Sequence, residues 1–141
     1  MNRENTKFEF VSNEWVDQAK IILEDLVSQF GVEGVLFSVC ETFTDAPKHI
    51  DHSGVASWHF YINGYSIKVG KGKVEDTDVK INFDYQKASV IAKVVYTEKI
   101  IAQQKEDFLI AKKNLGKKGK ILKEPPDYLT KLHNRLALLT S

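Results

Sequence analysis

The dipeptide Asn63-Gly64, set between two runs of alternating side chains, constrains this chain more than any other feature. Asn-Gly adopts two consecutive positive φ angles at little steric cost, and the resulting type I′ turn joins adjacent antiparallel strands. Trp58-His59-Phe60-Tyr61-Ile62 before it and Tyr65-Ser66-Ile67-Lys68-Val69 after it then form a hairpin. A two-residue turn there sets Ile62 opposite Tyr65, Phe60 opposite Ile67 and Trp58 opposite Val69. These six share one face, and His59, Tyr61, Ser66 and Lys68 take the other.

Two further stretches alternate in the same way. From Val35 to Phe43, Val35, Phe37, Val39, Glu41 and Phe43 share one face, and Leu36, Ser38, Cys40 and Thr42 share the other. From Asp78 to Phe83, Val79, Ile81 and Phe83 point one way and Lys80 and Asn82 the other. Around these strands the period becomes helical. Ser12-Asn13-Glu14 opens a helix whose stripe is Trp15, Ala19, Ile22, Leu26 and Phe30, and Gly31 stops it as a C′ glycine. Asp84 caps a helix carrying Ala88, Ile91, Val94 and Val95. Thr97 caps another with Ile101, Phe108, Ala111 and Leu115 on its buried stripe. Gly119 to Glu124 is a short candidate edge strand, and Phe8, Phe10 and Val11 form another. Pro125-Pro126-Asp127 opens a last helix with Leu129, Leu132, Leu136 and Leu139 at a/d spacing. The expectation is one α+β domain over 1–141, core roughly 12–141. Its antiparallel or mixed sheet is covered on one face by helices.

Composition narrows the function classes. The single cysteine, Cys40, allows no internal disulfide, and the first residues lead to no apolar signal region. Together these point to the cytoplasm. Net charge is +1, but residues 1–60 sum to −6 and residues 61–141 to +7. Lys112, Lys113, Lys117, Lys118, Lys120 and Lys123 concentrate the basic excess, a candidate surface for transient contact with anionic membrane. No aromatic interrupts that cluster, so it does not read as a nucleic-acid site.

Few residue patterns suggest catalysis. Cys40, Glu41, Asp45, His49, Asp51, His52 and His59 lie close in sequence, but no pair has zinc-finger or H-E-x-x-H spacing. Cys40 sits mid-strand, where it reads as a small buried apolar group, although His59 on a neighbouring strand is a conceivable partner. Gly70-Lys71-Gly72-Lys73 lacks the P-loop pattern and reads as a turn. No motif asks for a metal or a cofactor. What remains is an apolar sheet face under helices. Phe37, Val39, Trp58, Phe60, Ile62, Ile67, Val79, Ile81 and Phe83 line it, with Gln104 and Phe108 in the helical cover.

The hairpin Trp58-His59-Phe60-Tyr61-Ile62-Asn63-Gly64, then Lys68-Val69-Gly70, then Glu75-Asp76-Thr77-Asp78-Val79-Lys80-Ile81-Asn82-Phe83, resembles the sterol carrier protein 2-like domain. The likeness covers roughly residues 15–124. It implies an α+β fold whose sheet and helices enclose a tunnel for sterols, acyl chains or other lipids. The chain departs from the family pattern in the long helix before Gly119-Lys120-Ile121-Leu122-Lys123 and in a longer loop from Asp45 to Val55.

The leading expectation is therefore non-catalytic binding of an apolar small molecule between sheet and helices. One alternative is a small enzyme using Glu41 as acid or base, since Glu41 shares the face of Phe37 and Val39 whereas His59 and Tyr61 face away. Another is a structural module, monomer or homodimer, associating through the leucines of the last helix.

Overall fold

The structure, a computed structural model, describes residues 6–116 and 125–141, without the side chains of residues 108 and 111–116. Eight elements follow in order: α1 (Asn13–Phe30), β1 (Leu36–Thr44), β2 (Ala56–Asn63), β3 (Ser66–Lys71), β4 (Val79–Asp84), α2 (Tyr85–Ala92), α3 (Glu98–Gly116) and α4 (Leu129–Ala137). The strands form one mixed sheet in the order β3-β2-β1-β4, so the fold is α+β. β1 pairs antiparallel with β2 and parallel with β4, and β2 pairs antiparallel with β3.

Local chemistry sets the helix ends. The Ser12 hydroxyl accepts from the Trp15 amide at 3.1 Å and starts α1. Asp84 accepts from the Lys87 amide at 3.0 Å and starts α2, and Thr97 accepts from the Ile100 amide at 3.3 Å beside the first turn of α3. α2 ends at Ala92, so Val94 and Val95 fall in the connection beyond it rather than on the expected helical stripe.

Gly31 does stop α1, but for a different reason from the expected left-handed cap. Its φ is −60°, an ordinary value. A Cβ there would lie 2.4 Å from the Val27 carbonyl oxygen and 2.7 Å from that of Gly64, so the position needs glycine for close approach.

The hairpin also differs from the expected register. Ile62 pairs with Ile67, Phe60 with Val69 and Trp58 with Lys71. The loop is Gly64-Tyr65, and only Gly64 has a positive φ, +61°. A type I′ turn needs two such angles, and one at the first central position suits a type II′ turn. The pairing has slipped by two residues. Because side chains alternate with period two, that slip leaves every face assignment intact and drops only Tyr65 out to solvent.

The helices cover one face. α1 buries Trp15, Val16, Ala19, Ile22, Leu23, Leu26 and Val27, and α4 adds Leu132 and Leu136. The α4 leucines thus pack within the chain. Residues 6–11 add no strand to the sheet: Phe8 makes an isolated bridge to Thr140, while Phe10 and Val11 are buried in the core. The Phe10 ring meets Trp15 edge-on at 5.1 Å, and Tyr85 donates to the Phe10 carbonyl at 2.5 Å.

The other face carries a crossing. The chain leaves β3 at one edge of the sheet and enters β4 at the far edge. The segment between them passes over the polar face, held by side chains from β2 and β1. His59 Nδ1 donates to the Gly72 carbonyl at 2.8 Å, and the Tyr61 hydroxyl donates to Asp76 at 2.5 Å. The Ser38 hydroxyl donates to Asp78 at 3.1 Å and accepts from its amide at 2.8 Å. Ser38, Cys40, Thr42 and Ser57 are therefore buried on this face.

Candidate functional site

Between the helix-covered face and the helices lies a recess of about 420 Å³. β1 contributes Phe37, Val39, Glu41 and Phe43 because every second residue of a strand points the same way. β2 supplies Trp58 and Phe60, and β4 supplies Val79, Ile81 and Phe83. Trp15, Ala88, Ile91, Leu132 and Leu136 close it from the helices. Ile81, Phe83 and Ile91 remain 39%, 41% and 45% exposed, so β4 and α2 form its accessible side.

One carboxylic acid stands in this apolar wall. Glu41 pairs directly with Trp58 across β1 and β2, and with Ile81 across β1 and β4. The Trp58 indole N–H donates to Glu41 Oε1 at 2.6 Å. Glu41 keeps some accessible surface, but protein surrounds the carboxyl, so that surface belongs to the recess. Burial pushes its pKa above the ordinary carboxylic value, and the Trp58 hydrogen bond pulls less strongly the other way.

A second polar group sits at the end of the recess nearest α4. The Tyr96 ring stacks on the His133 ring at 3.7 Å and 5°. His133 Nε2 donates to the Val94 carbonyl at 2.7 Å, and the Asn134 side chain accepts from the Tyr96 amide at 2.7 Å and donates to its carbonyl at 3.2 Å. α4 thereby clamps the link between α2 and α3 against the site. Burial raises the Tyr96 pKa, opposed by a hydrogen bond from Gln104 and assisted by the charge of Glu41. Burial lowers the His133 pKa, so the ring favours its neutral form. Tyr96 and His133 also line a neighbouring recess of about 340 Å³, shared with Ile101, Gln104, Lys105 and Asp127.

Of the residues expected to line a site, Phe37, Val39, Trp58, Phe60, Val79, Ile81 and Phe83 border the larger recess. Gln104 borders the neighbouring one. Ile62 and Ile67 pair with each other at the far end of the hairpin and pack into the core, outside both walls. The side chains of Phe108, Lys112 and Lys113 lie outside the described residues, as do Lys117, Lys118, Lys120 and Lys123 altogether. Sequence reasoning missed Tyr96 and His133. The available signal was a polar pair, His133-Asn134, beside the leucine stripe of α4.

The remaining candidates do not converge. Cys40 and His59 are cross-strand neighbours, but the His59 ring lies over Gly70, within 2.8 Å of where a Cβ would stand there. His49 pairs with Glu9 at 2.7 Å. Among the described residues no group of three or more His, Cys, Asp or Glu is placed to hold a metal ion. No helix among them is long and apolar enough to cross a membrane. No protein-family model matches the chain, and no curated protein or solved structure matches it either.

Proposed function

We propose that this chain holds an apolar small molecule, of the lipid, sterol or acyl-chain kind, in the recess between sheet and helices. The observation that carries the reading is a recess of about 420 Å³ whose wall, among the described residues, is apolar apart from Glu41, Tyr96 and His133. Small-molecule sites span roughly 300–1,000 Å³ and combine such walls with a few orienting polar groups. The likeness of residues 58–83 to the sterol carrier protein 2-like domain supports the same reading. Native mass spectrometry of the purified protein, with displacement of a fluorescent fatty-acid or sterol probe, tests it. A co-purifying or displaceable one-to-one ligand is expected, and an empty protein that takes up no probe would sink it.

Two extensions carry their own tests. The raised pKa of a cavity carboxyl also suits acid–base chemistry, so Glu41 supports an enzymatic reading. That reading requires turnover of a bound apolar ester that is lost in Glu41→Gln, and recovery of every bound ester unchanged removes it. Delivery to membranes through Lys112, Lys113, Lys117, Lys118, Lys120 and Lys123 requires vesicle co-sedimentation that favours anionic over neutral lipid at low salt.

A further inference from the structure

We infer that Glu41 is the anchor for the ligand's head group, and that this group is a neutral oxygen, a hydroxyl or carbonyl on an otherwise apolar molecule. The inference rests on the proposed binding and specifies its chemistry.

The geometry supplies the first argument. Trp58 occupies one carboxyl oxygen, Oε1, at 2.6 Å. The other oxygen has no hydrogen-bond partner among the described residues, yet no buried polar side-chain atom there is left without one. Oε2 therefore keeps its accessible surface, and Glu41 lines the recess. A polar atom that opens onto an apolar space is a point of attachment, because a ligand lacking a polar partner would strand it without water.

Charge supplies the second. No lysine or arginine borders the recess among the described residues. Among the described residues the other titratable groups facing it are Tyr96, from the link after α2, and His133, from α4. Lys105 and Asp127 belong to the neighbouring recess. Among the described residues nothing facing Glu41 offers a full positive charge to stabilise a carboxylate, and burial favours the neutral acid. In the neutral form that burial favours, with Oε1 accepting from an indole N–H, the proton lies on Oε2 and is donated into the recess. Its complement is an acceptor oxygen without charge. A ligand carboxylate would enter an apolar space that no cation among the described residues borders, and a ligand ammonium would need Glu41 ionised there.

Matched ten-carbon probes test this: decan-1-ol, decan-2-one, decanoate and decylammonium, titrated at about pH 6, above the ordinary glutamate range. Trp15 and Trp58, the protein's two tryptophans, both border the recess, so intrinsic fluorescence reports occupancy. The alcohol and the ketone are expected to bind about tenfold more tightly than the two ions, a ratio worth about 1.4 kcal/mol. Glu41→Leu should erase that preference, and Glu41→Gln, which keeps a donor and an acceptor, should retain most of it. Circular dichroism establishes that both variants fold. Tightest binding of decanoate or decylammonium, or an unchanged preference in Glu41→Leu, overturns the anchor while leaving the binding reading in place. Failure of all four probes to bind overturns the binding reading itself.

Discussion

The two faces of the sheet are built from the same four strands and solve opposite problems. The helix-covered face is apolar and borders a recess, with Glu41 as its single carboxyl among the described residues. The opposite face is polar, and instead of helices it carries the link from β3 to β4, tied down by Ser38, His59 and Tyr61. Acids behave differently on the two. Asp76 receives the Tyr61 hydroxyl and its pKa falls, while Glu41 is buried and its pKa rises. On the polar face Ser38, Thr42, Ser57, His59 and Tyr61 each meet a partner within the fold. On the apolar face a carboxyl is held among apolar side chains, which is the local exception on which the proposed ligand anchor rests.

If the apolar face dominates stability, Trp58→Ala should be the most damaging single change. Trp58 is 4% exposed, meets Trp15 edge-on at 5.1 Å and lies 5.4 Å from Phe60. Removing a buried aromatic costs about 3–5 kcal/mol, which urea unfolding would record. A loss below about 1 kcal/mol would mean that the face collapses around the space, contrary to a rigid recess.

Glu41→Gln should show a smaller effect that depends on pH. In the folded chain the pKa of Glu41 lies above its ordinary value of 4.5, so folding favours the neutral acid. That contribution is complete below about pH 4.5 and is lost as the pH rises through the folded-state pKa. The amide never ionises and still offers Trp58 an oxygen. Wild-type stability should therefore fall relative to Glu41→Gln as the pH rises from about 4.5, by at most about 1.4 kcal/mol per pH unit, then level off. Unfolding series at several pH values measure this, and a constant difference would show that burial does not raise the Glu41 pKa.

The smallest effect belongs to the polar face. The Ser57 hydroxyl donates to Thr42 at 2.9 Å, and both residues are buried. Ser57→Ala should cost about 1 kcal/mol, the net worth of one hydrogen bond, with no change in probe binding. A loss matching that of Trp58→Ala would erase the contrast between the faces.

Much of this was legible in the sequence because period-two patterning survives errors of register. The expected pairing of Phe60 with Ile67 is displaced by two residues, yet Trp58, Phe60, Val79 and Phe83 still share the apolar face. Capping chemistry placed the starts of α1 and α2 at Ser12 and Asp84. What sequence did not reveal depends on contacts between distant segments. Gly31 is required by a carbonyl from the hairpin loop, Gly64, far along the chain. Tyr96 is set beside the recess by Asn134 of α4, which holds its backbone, and by His133, which holds the Val94 carbonyl. Glu41 shared a face with Phe37 and Val39 in the sequence, but its bond to Trp58 follows from the cross-strand pairing.

The central claim is that the recess beside Glu41 takes up a ligand, and the two tryptophan indole N–H resonances test it most directly. Trp58 donates to Glu41, whereas Trp15 donates to Thr140 at 3.0 Å. In a decan-1-ol titration followed by nuclear magnetic resonance, the Trp58 indole signal should shift saturably with one-to-one stoichiometry, and the Trp15 signal should move less. Backbone signals of Ser38, Thr42 and Ser57 on the polar face should stay in place. A Trp58 signal that remains fixed through the titration, or shifts confined to the polar face, would contradict the account.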